Sequence, residues 1–278
     1  MPLNPDAVGT VTEAQPITWT RKDALLYALG IGAGTDELAY TTDNTKNVPQ
    51  QVFPTFTVAL DAIFKGLPEI GTFDPAMIVH GQQAITLHQP LAPKGSGSAA
   101  LRVVAIQDKG KAAVAVIETT ALADDGSPLF TNVSSLFIRG AGGFGGDRGG
   151  ATADLSPPDR AADHEVAYRT SPDQALIYRL SGDRNPLHSD PAFAARVGFD
   201  RPILHGLCTY GFTGRALLHS LCDGEAARFR HIEGRFASPV FPGEVLTVRA
   251  WRTGDGEARF TTSVDDRVVL DNGLVRFT

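Results

Sequence analysis

An acid, an amide and an imidazole lie within six residues of one another, as Asp183, Asn185 and His188. Pro186 follows the asparagine, and an Asn-Pro pair marks a turn and stops a preceding helix. A turn here can bring the carboxylate and the imidazole to one side of a loop, where both would contact the same water. Singly, such residues more often bond only their own backbone. Their combination favours acid–base chemistry on a bound water.

A second element with chemical potential is His205-Gly206, which stands before an apolar helical stretch, Leu207–Leu218. A glycine at a helix N-terminus presents a backbone amide that can face an anion or a developing oxyanion. A tight turn that needs glycine for its backbone alone is an equally common explanation. An oxyanion site at Gly206 is therefore one of two interpretations of this segment.

A metal site and a serine hydrolase fit the sequence less well. His188 and Asp190, with Asp183 or His205, would be the metal ligands, but their spacing matches no recognised site. The segment that begins at Asp190 is instead typical of a capped helix start. No G-x-S-x-G elbow is present. We therefore expect no metal at this site and no nucleophilic serine.

The segment 140–150 contains a G-x-G-x-x-G pattern at Gly140, Gly142 and Gly145. A dinucleotide site requires a helix directly after such a pattern, but here more glycines and a Ser-Pro-Pro segment follow. We interpret the segment as a flexible connection and expect no nicotinamide or flavin cofactor. The predicted domains are residues 1–150 and residues 151–278.

The chain contains two similar halves. The matching segments are Thr20–Tyr27 with Thr170–Tyr178, His80-Gly81 with His205-Gly206, and Pro90–Pro93 with Pro239–Pro242. Strand-like sequence follows in both halves, at Leu101–Ile106, Ala112–Ala121, Ser135–Arg139, Val245–Trp251, Ala258–Val264 and Leu274–Phe277. Each half is predicted to run through a helix capped by threonine, a loop, His-Gly, a long helix and several antiparallel strands, which is an α+β arrangement. Because the polar loop occurs only in the second half, we expect one site per chain.

Composition limits the classes of partner. The 278 residues carry a net charge of −6, and no basic patch suggests a nucleic-acid partner. The two cysteines form neither a disulfide framework nor a zinc motif. No apolar run approaches the ~20 residues that span a bilayer, and the N-terminus does not look like a signal peptide. These features predict a soluble, cytoplasmic protein that does not bind membranes.

The motifs closely resemble those of the hydratase 2 family, also called MaoC-like or R-specific 2-enoyl-CoA hydratases. The family signature is matched by Tyr178, Ser181, Gly182, Asp183, Asn185, Pro186, Leu187 and His188, and its continuation by Gly198–Cys208. Tyr27, Pro54-Thr-Phe, His80-Gly81 and Ser135–Phe137 resemble the two-repeat members. The resemblance implies a double hot-dog fold, in which each repeat is an antiparallel sheet wrapped around a central helix.

The same resemblance implies reversible hydration of trans-2-enoyl-CoA to (3R)-3-hydroxyacyl-CoA in fatty acid metabolism, without a cofactor. Asp183 and His188 would hold and activate water, the Gly206 amide would polarise the thioester carbonyl, and Asn185 would support the loop. The implied substrate contacts are His80, Gly81, Lys109 and Phe236.

Several alternatives stay open. An acyl carrier protein can replace coenzyme A as the donor, as in a (3R)-hydroxyacyl-ACP dehydratase of chain elongation. A hot-dog acyl thioesterase and a catalytically silent binding module are further alternatives. The apolar stretch 52–64 is either an acyl pocket or ordinary core. Acyl chain length and the formation of a homodimer are not readable from the sequence.

Overall fold

Strands of both halves form one antiparallel sheet in the computed structural model, which describes residues 3–60, 67–73, 77–150 and 153–278. The strands within these ranges are β1 (Gln15–Trp19), β2 (Ile78–Leu87), β3 (Gly95–Asp108), β4 (Ala112–Ala123), β5 (Pro128–Arg139), β6 (His164–Arg169), β7 (Phe229–Phe236), β8 (Val245–Gly254), β9 (Glu257–Val264) and β10 (Arg267–Phe277). The helices are α1 (Arg21–Gly30), α2 (Leu38–Thr41), α3 (Thr57–Leu60), α4 (Leu67–Ile70), α5 (Gln174–Tyr178), α6 (Pro191–Arg196) and α7 (Gly206–Cys222). The α+β class and the six strand segments predicted from the sequence are confirmed.

The order of strands repeats across the sheet. From one edge the first-half strands run β1-β3-β4-β5-β2, and from the other edge the second-half strands run β6-β8-β9-β10-β7. The two innermost strands, β2 and β7, pair antiparallel, with Gln83 opposite Gly234. The two five-stranded units are therefore joined edge to edge into one continuous sheet.

Helix α7 is the long helix of the second half. It is apolar around most of its circumference, and 13 of its 17 residues are buried, as expected for a helix enclosed by a sheet. Two glycines allow first-half residues to approach its backbone. A Cβ atom at Gly211 would lie 2.4 Å from Ile31 and 2.9 Å from the Tyr27 hydroxyl, and one at Gly214 would lie 2.5 Å from Thr55.

The end of helix α1 is hydrogen-bonded to the first residue of helix α5. Thr20 and Asp23 form the predicted capping box at the start of α1. At its end, the side-chain amide of Gln174 donates to the carbonyls of Leu29 and Gly30, at 3.2 and 2.7 Å. A residue of the second half therefore satisfies terminal carbonyls of a first-half helix.

The predicted helix cap at Thr170 is wrong. Helix α5 follows Asp173, and the side chain of Asp173 makes no cap hydrogen bond. The Thr170 hydroxyl instead donates to the carbonyl of Glu244 at 2.9 Å and accepts from the amide of Gly243 at 2.9 Å. The turn that contains Gly243 and Glu244 is distant in sequence but close in space. Its backbone groups bind the Thr170 hydroxyl, which therefore does not cap α5.

The helix predicted after His80-Gly81 is also wrong, because both residues lie inside β2. This strand is central in the sheet, and its backbone groups pair with β5 on one side and β7 on the other. Helix α3 comes before the strand. Within the apolar stretch 52–64, Val52, Phe53 and Phe56 are buried in the core, whereas residues 61–64 lie outside the described residues.

The glycine segment 140–150 is anchored, which contradicts the prediction of a flexible connection. The Asp108 carboxylate accepts hydrogen bonds from the amides of Gly110, Gly143 and Gly145 at 2.8, 2.9 and 2.7 Å. These donors, with Gly143 first, lower the pKa of Asp108 to about 2. Between β5 and β6 the described residues form neither helix nor strand. Across the described ranges, no helix combines the length and apolarity of a membrane span.

Candidate active site

The loop from Gly182 to His188 is shaped by its own sequence. Gly182 adopts φ 134°, a conformation that favours glycine. The Asp183 carboxylate then accepts from the amide of Asn185 at 3.0 Å, and the Asn185 side chain accepts from the amide of Leu187 at 3.0 Å. Asn185 thereby caps a single 3-10 turn, Pro186–His188. Both polar side chains bond the local backbone and orient the residues around them.

His188 is buried, with 8% of its surface exposed. Its Nδ1 lies 2.9 Å from the carbonyl oxygen of Ile203. A carbonyl only accepts, so Nδ1 carries the proton and Nε2 keeps a lone pair. Burial lowers the pKa of His188, although the Ile203 carbonyl and the Asp183 carboxylate oppose this effect. The side chain is therefore a neutral imidazole with one nitrogen available as a base.

His205 is more deeply buried, at 1% exposure. Its Nε2 lies 3.2 Å from the backbone carbonyl of Asp183, and its ring stacks on His188 with centroids 3.8 Å apart and planes inclined by 29°. Burial and the neighbouring His188 lower the pKa of His205 to about 2. Its ring is also neutral, and its buried Nδ1 has no hydrogen-bond partner among the described residues.

Side-chain ligand atoms of Asp183, His188 and His205 all lie within 4.8 Å of one another. Each imidazole has one nitrogen committed to a backbone carbonyl, and the two rings stack with planes inclined by 29°, which differs from the spread of ligands around a tetrahedral ion. Asp190 is used elsewhere, since its carboxylate caps α6 through the amide of Ala192 at 2.8 Å. The arrangement suits contact with a water better than it suits a chelated metal.

Gly206 begins α7, so its amide has no acceptor within the helix. The dipole of a helix of this length adds partial positive charge at the same point. A Cβ atom at this position would lie 3.1 to 3.3 Å from the ring of Phe236. Glycine therefore both exposes the amide and admits the aromatic ring beside it.

The first half contributes His80 to this region. His80 lies on β2 and its ring is 5.0 Å, centroid to centroid, from that of Phe236 at the end of β7. Burial lowers the pKa of His80 to about 4, against the opposing effects of hydrogen bonds with Gln82 and Gln83 and, to a smaller extent, of the Asp183 carboxylate. Gly81 is the extra residue of a β-bulge, since His80 pairs with Leu136 and Gln82 with the adjacent Ser135. The bulge changes the direction of the strand beside the site.

Lys109 lies apart from this cluster. It is exposed in the turn between β3 and β4, where its ammonium group donates to the carbonyl of Arg148. Lys111, Arg139 and Arg148 are exposed nearby, around the same turn and the glycine segment. This local group of cations has no signal in the sequence, because its members come from three separate segments. The contacts of His205 have no local signal either, beyond its position directly before Gly206.

Comparison with protein-family models matches residues 154–273 to the MaoC-like domain and residues 17–140 to the MFE-2 hydratase 2 N-terminal domain. The 3-hydroxyacyl-thioester dehydratase Y of Mycobacterium tuberculosis is 48% identical, over 100% of this chain and 99% of the relative. The peroxisomal enoyl-CoA hydratase 2 of Arabidopsis thaliana is 40% identical over 85% and 83%. The chain belongs to the MaoC-like hydratase 2 family.

The family assignment agrees with solved structures. The crystal structure of a MaoC-like dehydratase from Phytophthora capsici superimposes with a TM-score of 0.89 at 35% identity, covering 99% of this chain and 98% of that one. This member of the MaoC-like hydratase 2 family therefore has the double hot-dog fold predicted from its sequence. Its curated relatives bear the names of hydratases and dehydratases of acyl thioesters.

Proposed function

We propose that this chain catalyses the reversible hydration of trans-2-enoyl-CoA to (3R)-3-hydroxyacyl-CoA in fatty acid metabolism. The observation that carries the proposal is the grouping of the Asp183 carboxylate, the His188 imidazole and the start of α7 around one point. A carboxylate and a neutral imidazole can hold one water between them. A helix N-terminus beside that water can bind the oxygen on which negative charge develops.

Asp183 and His188 act on the water. The Nδ1 proton of His188 is committed to the Ile203 carbonyl at 2.9 Å, so Nε2 is the nitrogen that accepts a proton. As the water oxygen bonds to carbon 3, its proton passes to the pair, and a proton is returned to carbon 2 on the same face. Base catalysis of this kind contributes about 10²–10⁴ in rate. Because both groups contact the same water in this proposal, we treat Asp183 and His188 as one catalytic unit.

The Gly206 amide stabilises the intermediate. Attack on carbon 3 moves an electron pair to the thioester oxygen, and protonation of carbon 2 restores the carbonyl. A preorganised donor to such an oxyanion contributes roughly 10²–10³ in rate. Dehydration uses the same groups in reverse order, and the two directions share one site.

The two halves have different roles in this proposal. Residues 151–278 carry the catalytic loop with its supporting Asn185, whereas residues 1–150 shape the acyl pocket. His80, Gly81 and Phe236 are proposed substrate contacts. The proximity of the His80 and Phe236 rings to each other supports this role for those two residues. Lys109 is proposed to bind the coenzyme A portion, which is supported by its exposed ammonium group among other cations.

The proposal is tested by assaying hydration of crotonyl-CoA and of a longer trans-2-enoyl-CoA. Hydration is monitored as the loss of enoyl absorbance, and chiral analysis identifies the product. The wild type should give the 3R alcohol, and Asp183→Asn should lower kcat by about 10²-fold or more. Asp190→Asn is the matched control, because Asp190 follows the same loop but only caps α6. Release of free thiol without hydration would replace the proposal with a thioesterase. Hydration or dehydration of acyl carrier protein thioesters alone would change the donor.

A further inference from the structure

His188 and His205 form a reciprocal pair. Each belongs to a different side of the site, and each bonds the backbone of the other side. The His188 ring, from the catalytic loop, lies 2.9 Å from the carbonyl of Ile203, which is two residues before His205. The His205 ring, from the start of α7, lies 3.2 Å from the carbonyl of Asp183. The two rings stack between these bonds.

The bond from His205 has a defined direction. The Asp183 carbonyl can only accept, so Nε2 of His205 carries the proton and donates it. The ring is buried and keeps its Nε2 proton whether or not Nδ1 is protonated, so this donor persists throughout the pH range in which enzymes work. The ring also packs against Tyr178, with centroids 5.0 Å apart, which restricts its rotation.

His205 is directly bonded through the chain to Gly206, whose amide is the proposed oxyanion donor. It is hydrogen-bonded to the backbone of Asp183, the proposed acid–base residue, and it stacks on His188. Asp183 and Gly206 are more than twenty residues apart in the sequence. A fixed separation between them therefore requires a tertiary contact, and His205, which is covalently joined to Gly206, provides one through its hydrogen bond to the Asp183 carbonyl.

We propose that His205 is a positioning residue that holds the Asp183–His188 pair in register with the Gly206 amide. The inference rests on the proposed hydratase function and adds a residue to its site. A displacement of about 1 Å between reacting groups costs about 10²-fold in rate. Loss of the His205 bond should therefore lower kcat and leave KM nearly unchanged, because the substrate contacts at His80 and Phe236 remain.

The experiment compares His205→Gln with His205→Met. The two side chains are of similar size and both lose the ring, but only glutamine retains an N–H donor that can reach the Asp183 carbonyl. We expect the Met variant to lose about 10- to 100-fold in kcat for crotonyl-CoA. We expect the Gln variant to recover at least about 5-fold of that loss, with KM within about twofold of wild type in both.

His231→Met is the matched control. His231 is half-buried on β7 and bonds the Thr86 hydroxyl at 2.9 Å, away from the catalytic loop. It should keep kcat within about twofold of wild type. Thermal unfolding of each variant gives the folded fraction, by which kcat is corrected, so a purely structural role of His205 would leave the corrected kcat unchanged.

Equal corrected kcat values for the Gln and Met variants would overturn the inference, and so would a loss that appears in KM alone. In either case an active wild type still supports the proposed function. An inactive wild type would overturn both together. If the Met variant does not fold, the Gln variant decides the matter by comparison with wild type, since a loss in its kcat beyond about 10²-fold contradicts a role that glutamine can replace.

Discussion

The guanidinium of Arg215 forms a bidentate ion pair with the carboxylate of Glu37, with Nε 2.8 Å from Oε1 and Nη2 2.5 Å from Oε2. Glu37 follows α1 in the first half, and Arg215 lies on the central helix α7. Both side chains are almost fully buried, at 8% and 11% exposure. Burial alone would raise the pKa of Glu37, but His219 and Arg215 together lower it. The ion pair therefore joins the two halves at a site where both side chains are largely shielded from solvent.

Glu37→Gln should lower the free energy of unfolding by about 3–5 kcal/mol, because it leaves the Arg215 charge buried without its partner. Urea denaturation measures the change. Glu165→Gln is the control, since its pair with Arg249 at 2.7 Å is largely exposed and should contribute less than about 1 kcal/mol. Equal losses in the two variants would mean that burial of the pair is not what makes it important.

Gly211→Ala should destabilise the protein by about 1–3 kcal/mol, because the added methyl group overlaps a packed side chain. Its Cβ would lie 2.4 Å from Cγ2 of Ile31. Gly34→Ala is the control, since a Cβ there meets no atom within 4 Å and the backbone has no positive φ. Chemical denaturation should separate the two variants, and an undiminished midpoint for Gly211→Ala would contradict the close approach of α1 to α7.

Stability should fall as the pH is lowered from 7.5 to 5.0. Burial lowers the pKa values of His80, His188 and His205 in the folded state, whereas in the unfolded chain they titrate near 6.5. Below about pH 6.5 the unfolded chain binds more protons, and the free energy of unfolding decreases. Urea midpoints at the two pH values test this. His80→Gln should show a shallower decrease, and a midpoint that is higher at pH 5.0 would refute the expectation.

The activity profile should follow the neutral form of His188. Because burial lowers its pKa, against the opposing effects of Ile203 and Asp183, kcat/KM for crotonyl-CoA should stay nearly constant between pH 7.5 and about 6.5. The acid limb should appear only below this range. An acid limb centred above pH 6.5 would indicate that the reacting base is a different group.

Lys109→Ala should raise KM for acyl-CoA several-fold with little change in kcat, because an interaction equal in the ground and transition states affects binding alone. Steady-state kinetics with one enoyl-CoA measures both constants. Lys46→Ala, another exposed lysine, should change neither. A fall in kcat for Lys109→Ala would instead point to displacement of the glycine segment, to which the Lys109 ammonium group is bonded through Arg148.

The sequence was most informative where the structure depends on neighbours in the chain. Gly182, Asn185 and Pro186 each act within two residues of their own position, so turn chemistry indicated the loop at 182–188. The apolar pattern of α7 and the alternation of the strands were equally local. These features were sufficient to predict the α+β class and the position of the loop.

The sequence was misleading where distant partners decide the outcome. His80-Gly81 and His205-Gly206 are identical dipeptides, but the first pairs with β5 and β7 and the second starts a helix. The glycine segment looked flexible because its anchor, Asp108, lies far away in the sequence. Likewise, the contact of His205 with the Asp183 carbonyl bridges 22 positions and leaves no local pattern.

The pairing of β2 with β7 has a kinetic consequence. In a protein assembled from separate single-repeat subunits, a seam of this kind would form by diffusion and would come apart on dilution. Here both strands belong to one chain, so the encounter is intramolecular and its effective concentration is fixed by the connection between the halves. The meeting of His80 with Phe236 across this seam therefore persists at any enzyme concentration, and the specific activity should be the same in a dilute extract as in a concentrated stock.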